Sequence, residues 1–152
     1  MIRISKQVID GIQTIASNDC ETETGGILIG KGSFKDGDVF ITHFTGPGPR
    51  SIKKRYYFSR DTEYCQKALD DIVLQTKGEC DYLGEWHKHF EKKPRPSMQD
   101  VSTMMMINEN DCYHINDCVM LIIGSTGEIL AYYLLGTSAT SITLQVVDDS
   151  TE

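Results

Sequence analysis

The chain is poor in the features that would mark it as secreted, membrane-bound or nucleic-acid-binding. It has no C-x-x-C pair. Its five cysteines (Cys20, Cys65, Cys80, Cys112 and Cys118) are odd in number and scattered. That usage suits a reducing cytoplasm and excludes a disulfide-stapled scaffold. The longest apolar runs, Cys118–Ile123 and Ile129–Leu135, are far too short to cross a bilayer, and Met1-Ile2-Arg3-Ile4-Ser5-Lys6 does not open a signal peptide. The expectation is a cytoplasmic protein with no membrane partner. Positive charge is also scarce: 15 Lys and Arg stand against 22 Asp and Glu, for a formal charge of −7. Nucleic-acid affinity rests mainly on neutralised phosphates, so no nucleic-acid partner is expected. Arg50-Ser51-Ile52-Lys53-Lys54-Arg55 is the one basic stretch. It reads as a solvated loop or edge strand, with docking of an acidic partner as the alternative.

What remains is ordinary globular composition over 152 residues, enough for one core. Residues 1–147 read as one domain, followed by an acidic tail over 148–152. Val8, Ile9, Ile12, Ile15 and Ala16 recur at helical spacing across 6–17. Gly25-Gly26 opens a short strand, Ile27-Leu28-Ile29, closed by Gly30, and a second strand covers Val39–Phe44. Gly46-Pro47-Gly48-Pro49 breaks regular structure. A strand at Tyr56–Phe58 precedes a helix with Tyr64, Ala68, Leu69 and Ile72 on one face and Gly78 beyond its end. Asp81–His89 is a strand, and Pro94 and Pro96 force a loop. Ser97 starts a helix running to about Ile107. The strands Val119–Ile123, Ile129–Leu135 and Ile142–Val147 complete the chain, with Ser125-Thr126-Gly127 as a hairpin turn. The pattern implies an α/β (α+β) domain, one mixed sheet flanked by about three helices.

Chemistry concentrates between Trp86 and Asp100. Side chains at i and i+2 of a strand share a face, so His87 and His89 present paired imidazoles. The proline-stiffened loop returns the chain, and the first turn of the next helix brings Asp100 back. Two nitrogens and one carboxylate, with a fourth position open, form the donor set of catalytic rather than structural zinc. Ser97-x-x-Asp100 is also close to a capping box, and a helix N-terminus is compatible with a metal-binding carboxylate. A metal-activated water needs a proton acceptor. Glu85, on the strand face of the histidines, and Glu23, ahead of Gly25-Gly26, both qualify, and spacing does not choose between them.

The pairing of Glu23-Thr24-Gly25-Gly26-Ile27-Leu28-Ile29-Gly30 with H-x-H-x7-S-x-x-D resembles the JAMM (JAB/MPN-type) zinc metalloproteases. The resemblance covers roughly residues 1–135. It implies a JAB/MPN-like domain of cytidine-deaminase-like architecture and one catalytic Zn2+ on His87, His89 and Asp100. It also implies Glu23 as general base, Ser97 as a donor to the oxyanion, and Glu85 in a supporting role. Gly46–Pro49, Asp61–Gln66 and Tyr82–His87 are further similar to a small bacterial branch found beside ubiquitin-like activating and conjugating enzymes, including those of CBASS anti-phage defence. The implied substrate is the amide or isopeptide bond at the C-terminus of a ubiquitin-like protein or conjugate, the conjugated target being a nucleotidyltransferase. The chain departs from many relatives in having Phe90 where they have proline.

The alternative of another class is a non-catalytic MPN-type scaffold. A complete ligand set counts against it. A nucleobase deaminase is set aside because H-x-E and P-C-x-x-C are absent. Cys112, His114 and Cys118 have the donor types for a second, structural zinc, with His43 or Cys80 as a fourth ligand. Buried thiols beside a loop histidine are the plainer account. Met104-Met105-Met106 reads as core packing, and Trp86 as an anchor facing away from the metal.

Overall fold

The computed structural model describes residues 1–19, 21–113, 115 and 117–148. Elements follow in the order β1 (Ile2–Ser5), α1 (Lys6–Asn18), β2 (Thr24–Ser33), β3 (Asp38–Phe44), β4 (Ile52–Lys54), β5 (Tyr57–Ser59), α2 (Thr62–Gln75), β6 (Asp81–Lys88), α3 (Met98–Glu109), a 3-10 turn (Asp111–Tyr113), β7 (Val119–Ile123), β8 (Ile129–Leu135), β9 (Ser138–Ile142) and β10 (Leu144–Val147). The α+β expectation holds: eight strands form one mixed sheet in the order β10-β1-β3-β2-β6-β7-β8-β9, and β4 and β5 form a separate hairpin.

The sheet is strongly curled. β9 lies at one edge and β10 at the other, yet only Thr143 separates them in the chain. Ile2 N–H donates to the Thr143 carbonyl at 2.9 Å, and β10 then runs parallel to β1. The two edges are thereby drawn together, which shortens the unpaired rim that an open sheet would present.

Curling separates two apolar layers. In β7, Val119, Leu121 and Ile123 join one cluster, and Met120 and Ile122 join the other, as period-two alternation requires. The first cluster is closed by α1, whose Val8, Ile12 and Ala16 are buried. Each of the larger two contributes about 1.5–3 kcal/mol by leaving water. Trp86 is wholly buried there, and its indole N–H donates to the Thr45 carbonyl at 2.9 Å. The second cluster packs Ile27, Ile29, Met120 and Ile122 against Met104 and Ile107 of α3 and Cys65 of α2.

Several expectations change in detail. Ile2–Ser5 is a strand before the helix, because a four-residue segment finds parallel partners on both sides. Thr24 to Ser33 is one continuous strand, running through Gly30. The C-terminal strand expected at Ile142–Val147 is instead β9 and β10, on opposite sheet edges. Of the three consecutive methionines, Met104 is buried but Met106 is 53% exposed, so only part of that run packs inward. Tyr64 is 46% exposed and α2 fully buries only Cys65, so its apolar face is narrower than the spacing suggests. The basic run forms the exposed strand β4 and its turn. Residues 149–152 of the acidic tail lie outside the described residues.

Candidate metal centre

β6 is the platform of the site. It lies between antiparallel β2 and parallel β7, buried along most of its length. The register with β2 slips at Leu83, which has no partner between Gly84 and Tyr82. Such a bulge shifts the alternation, so Tyr82 and Glu85 meet: the Tyr82 hydroxyl donates to Glu85 Oε2 at 3.3 Å. At Gly84 a Cβ would come within 1.9 Å of the Val119 carbonyl, so the approach of β7 requires glycine. Gly25 serves the same purpose beside the site, since a Cβ there would stand 2.8 Å from both the His87 and Phe58 rings.

From this platform Glu85 and His87 project into a cleft of about 490 Å³, which His89, just past the end of the strand, also lines. The prolines return the chain, Tyr132 donates to the Pro94 carbonyl at 2.8 Å, and α3 begins. Ser97 and Asp100 form a full capping box. Asp100 N–H donates to Ser97 Oγ at 3.1 Å, and Ser97 N–H donates to Asp100 Oδ2 at 2.8 Å. The cap fixes the carboxylate facing the histidines. His87 Nδ1 is 2.8 Å from Asp100 Oδ1, and His89 Nε2 is 3.0 Å from Asp100 Oδ2.

Among the described residues, His87, His89 and Asp100 are the one group of this kind, with one donor atom from each lying within 4.8 Å of the others. Zinc–nitrogen and zinc–oxygen bonds run to about 2.0–2.2 Å, so small side-chain adjustments bring all three donors onto one ion. Two imidazoles and a carboxylate, nearly buried and opening on a cleft, fit such an ion. The two imidazoles are also hydrogen-bonded to the carboxylate. Burial pushes the Asp100 carboxyl up, but hydrogen bonds with His87 and His89 outweigh it and hold the carboxyl well below the usual range. Burial pulls His89 down, and its hydrogen bond to Asp100 more than reverses that.

The two glutamates left open by spacing have different surroundings. Glu85 is buried and ion-paired to Arg60, whose Nη1 lies 2.5 Å from Oε1 while its Nη2 donates to the Tyr113 hydroxyl at 3.3 Å. Glu85 is therefore occupied by a charge partner. Glu23 lines the same cleft as the histidines. Burial pushes its carboxyl up, His89 pulls against that, and the negative charge of Asp100 adds to the rise. A half-buried carboxylate of raised pKa beside two imidazoles is suited to accept a proton and give it back.

Arg60 gave no signal in the sequence, since nothing in a lone arginine ahead of a helix cap specifies a partner 25 residues away. Phe58 was also missed as a site residue; its ring meets that of His87 edge-on at 5.4 Å. The second cluster of soft ligands is not assembled among the described residues. Cys118 is buried, its S–H directed at the Met104 carbonyl, and burial pushes its thiol up to about 12. Cys112 is exposed, and His114 lies outside the described residues. No helix among the described residues is long and apolar enough to cross a membrane.

A curled mixed sheet, three helices and a His-His-Asp group at the end of one strand and the start of one capped helix define an α+β domain with a group that could hold a metal ion. The chain belongs to the family of prokaryotic homologues of the JAB domain, whose model matches residues 5–135. It is 31% identical over 137 residues to a protein of Enterobacter hormaechei subsp. hoffmannii named CD-NTase/cGAS isopeptidase, covering 90% of this chain and 73% of that one. A protein of the same name from Escherichia coli is 36% identical over 85 residues, 56% of this chain. The match spans only about half of that relative's length, 53%. The fold is shared with a solution structure of a Desulfitobacterium hafniense protein, with a TM-score of 0.71 and 18% identity, covering 98% of this chain and 94% of that one. It is also shared with a crystal structure of a JAB1/MPN domain protein from Archaeoglobus fulgidus, with a TM-score of 0.58 and 15% identity, covering 96% and 97%.

Proposed function

We propose that residues 1–147 form a zinc-dependent isopeptidase domain that hydrolyses the amide or isopeptide bond at the C-terminus of a ubiquitin-like protein or conjugate. The observation that carries this is the convergence of His87, His89 and Asp100 in one cleft with Glu23. His87, His89 and Asp100 would hold the ion, and zinc in that position would supply Lewis acidity toward the amide carbonyl and toward water.

The chain's own residues supply the rest. Glu23 takes the proton from the attacking water and returns it to the leaving amine, for which its raised pKa suits it. Ser97 Oγ accepts from Asp100 N–H, which leaves the hydroxyl proton to donate to the developing oxyanion. Arg60 neutralises Glu85, so that Glu23 is the carboxylate left to move protons. β5 lines the cleft with Tyr57, Phe58 and Ser59 and is paired on one side by β4. An extended tail laid along it gains main-chain hydrogen bonds by strand addition.

The relatives' name, CD-NTase/cGAS isopeptidase, supports a CD-NTase-type nucleotidyltransferase as the conjugated target; the placing in cytoplasmic anti-phage defence alongside ubiquitin-like activating and conjugating enzymes rests on the sequence resemblance. The complete donor set weighs against a non-catalytic scaffold. The test uses a panel of bacterial ubiquitin-like proteins, each fused at its C-terminus to a fluorescent protein. Zinc-loaded protein is expected to cleave at least one fusion at the junction, and Glu23→Gln to cleave none. An intact panel at high concentrations of zinc-loaded wild type would rule the reading out in favour of a scaffold.

A further inference from the structure

We infer that Phe90 is a positioning residue. It latches the tip of the β4–β5 hairpin and through it fixes Glu23 at the cleft. The hairpin is not part of the main sheet. It nevertheless touches the site twice. The Lys54 carbonyl accepts from Glu23 N–H at 2.7 Å, and the Phe58 ring rests on the His87 ring. The hairpin therefore shares in placing Glu23, which stands just ahead of Thr24 where β2 begins beside Lys88 of β6.

Its tip is the turn at Arg55 and Tyr56. The Tyr56 ring meets the Phe90 ring edge-on, with centroids 6.2 Å apart and planes at 67°. The Arg55 guanidinium lies 5.6 Å from the Phe90 centroid and 5.7 Å from that of Tyr56. From β6, the Lys88 ammonium lies 5.6 Å from the Phe90 centroid. One aromatic ring thus gathers two cations and a second ring, contacts that attract through the ring quadrupole.

A second tie runs through Asp19. Lys53 Nζ donates to its carboxylate at 2.7 Å, and Lys88 Nζ donates to its carbonyl. The Lys53–Asp19 pair is partly exposed, and such pairs hold weakly. Tyr56 is 71% exposed and makes its ring contact with Phe90. Phe90 is half-buried and fixed directly behind His89 at the end of β6. Two residues past the end of β6, it anchors the tip to the platform.

For its kinetic part the inference rests on the isopeptidase reading; its structural part does not. The experiment is native-state hydrogen exchange by NMR on zinc-loaded wild type, Phe90→Ala, Phe90→Tyr and Tyr56→Ala. Loosening the tip is expected to speed exchange at the Glu23 amide about tenfold in Phe90→Ala and Tyr56→Ala, leaving the β6 and β7 amides unchanged. Phe90→Tyr is expected to restore the wild-type rate. On a cleavable fusion, Phe90→Ala is expected to lower kcat about tenfold with KM and bound zinc unchanged, because the proton carrier and not the ligand set has moved. Equal Glu23 exchange in wild type and both alanine variants overturns the latch. If wild type cleaves nothing, the function fails while the exchange data still decide the latch.

Discussion

The two halves of the site are built to different standards. His87 and His89 sit on and just past a central strand of the sheet that is buried along most of its length, and Asp100 on a helix fixed by a reciprocal cap. Glu23 sits in the connection between α1 and β2. It is held through a small hairpin by one backbone hydrogen bond, a partly exposed ion pair and contacts at an exposed tip. The His-His-Asp half inherits the rigidity of the core, and the Glu23 half is tied in part to the surface. Under the proposed function, metal binding and turnover are therefore separable properties in this domain.

The sharpest way to expose that separation is Glu23→Gln. It is expected to keep zinc and lose at least about 10³-fold in kcat, measured by metal analysis and fusion cleavage on the same sample. Arg60→Ala attacks the wall shared by both halves. It leaves Glu85 buried and uncompensated, so chemical denaturation is expected to show a loss of about 3 kcal/mol. Arg60→Ala with Glu85→Gln is expected to recover much of it, and no recovery would deny the pair its structural role. Ser97→Ala touches the His-His-Asp half through the cap. A cost of about 1 kcal/mol in stability is expected, with about 10²-fold in kcat from the lost oxyanion donor.

A subtler break comes from pH. In metal-free protein His89 binds its proton more tightly than its ordinary 6.5. That stabilisation is fully present below about pH 6.5 and is lost as pH rises through the raised value. Asp100 is shifted the other way from 3.8, so its contribution is present above that value and lost in stronger acid. Chelated wild type is therefore expected to be relatively more stable at pH 5.5 than at pH 8 when compared with His89→Ala. Zinc affinity should run oppositely, rising with pH as the competing proton leaves. Zinc binding that is flat across this range would contradict that competition. The smallest effect is expected at Cys112→Ser, where bound zinc should not change.

The same contrast governs what could be read from the sequence. The His-His-Asp half was legible because each of its parts is local: i and i+2 on a strand, and S-x-x-D at a helix start. Most strands and all three helices were legible for the same reason, since periodicity is a property of neighbours in the chain. Glu23 against Glu85 was not settled by spacing, because the difference lies in Arg60, brought over by the fold. β1 was hidden because its four residues run directly into a helix and gain their partners from β3 and β10. The division of β9 from β10 depends on the curl of the sheet, which no local pattern encodes. The hairpin's hold on Glu23 is likewise a contact between segments about thirty residues apart.

The account turns on one ion at His87, His89 and Asp100. The direct measurement is the zinc content of purified wild type beside His87→Ala/His89→Ala, each shown to be folded. Close to one zinc per chain in the first and none in the second is the expected result. A well-folded wild type that takes up no zinc when it is supplied, or a double variant that keeps it, would contradict the assignment.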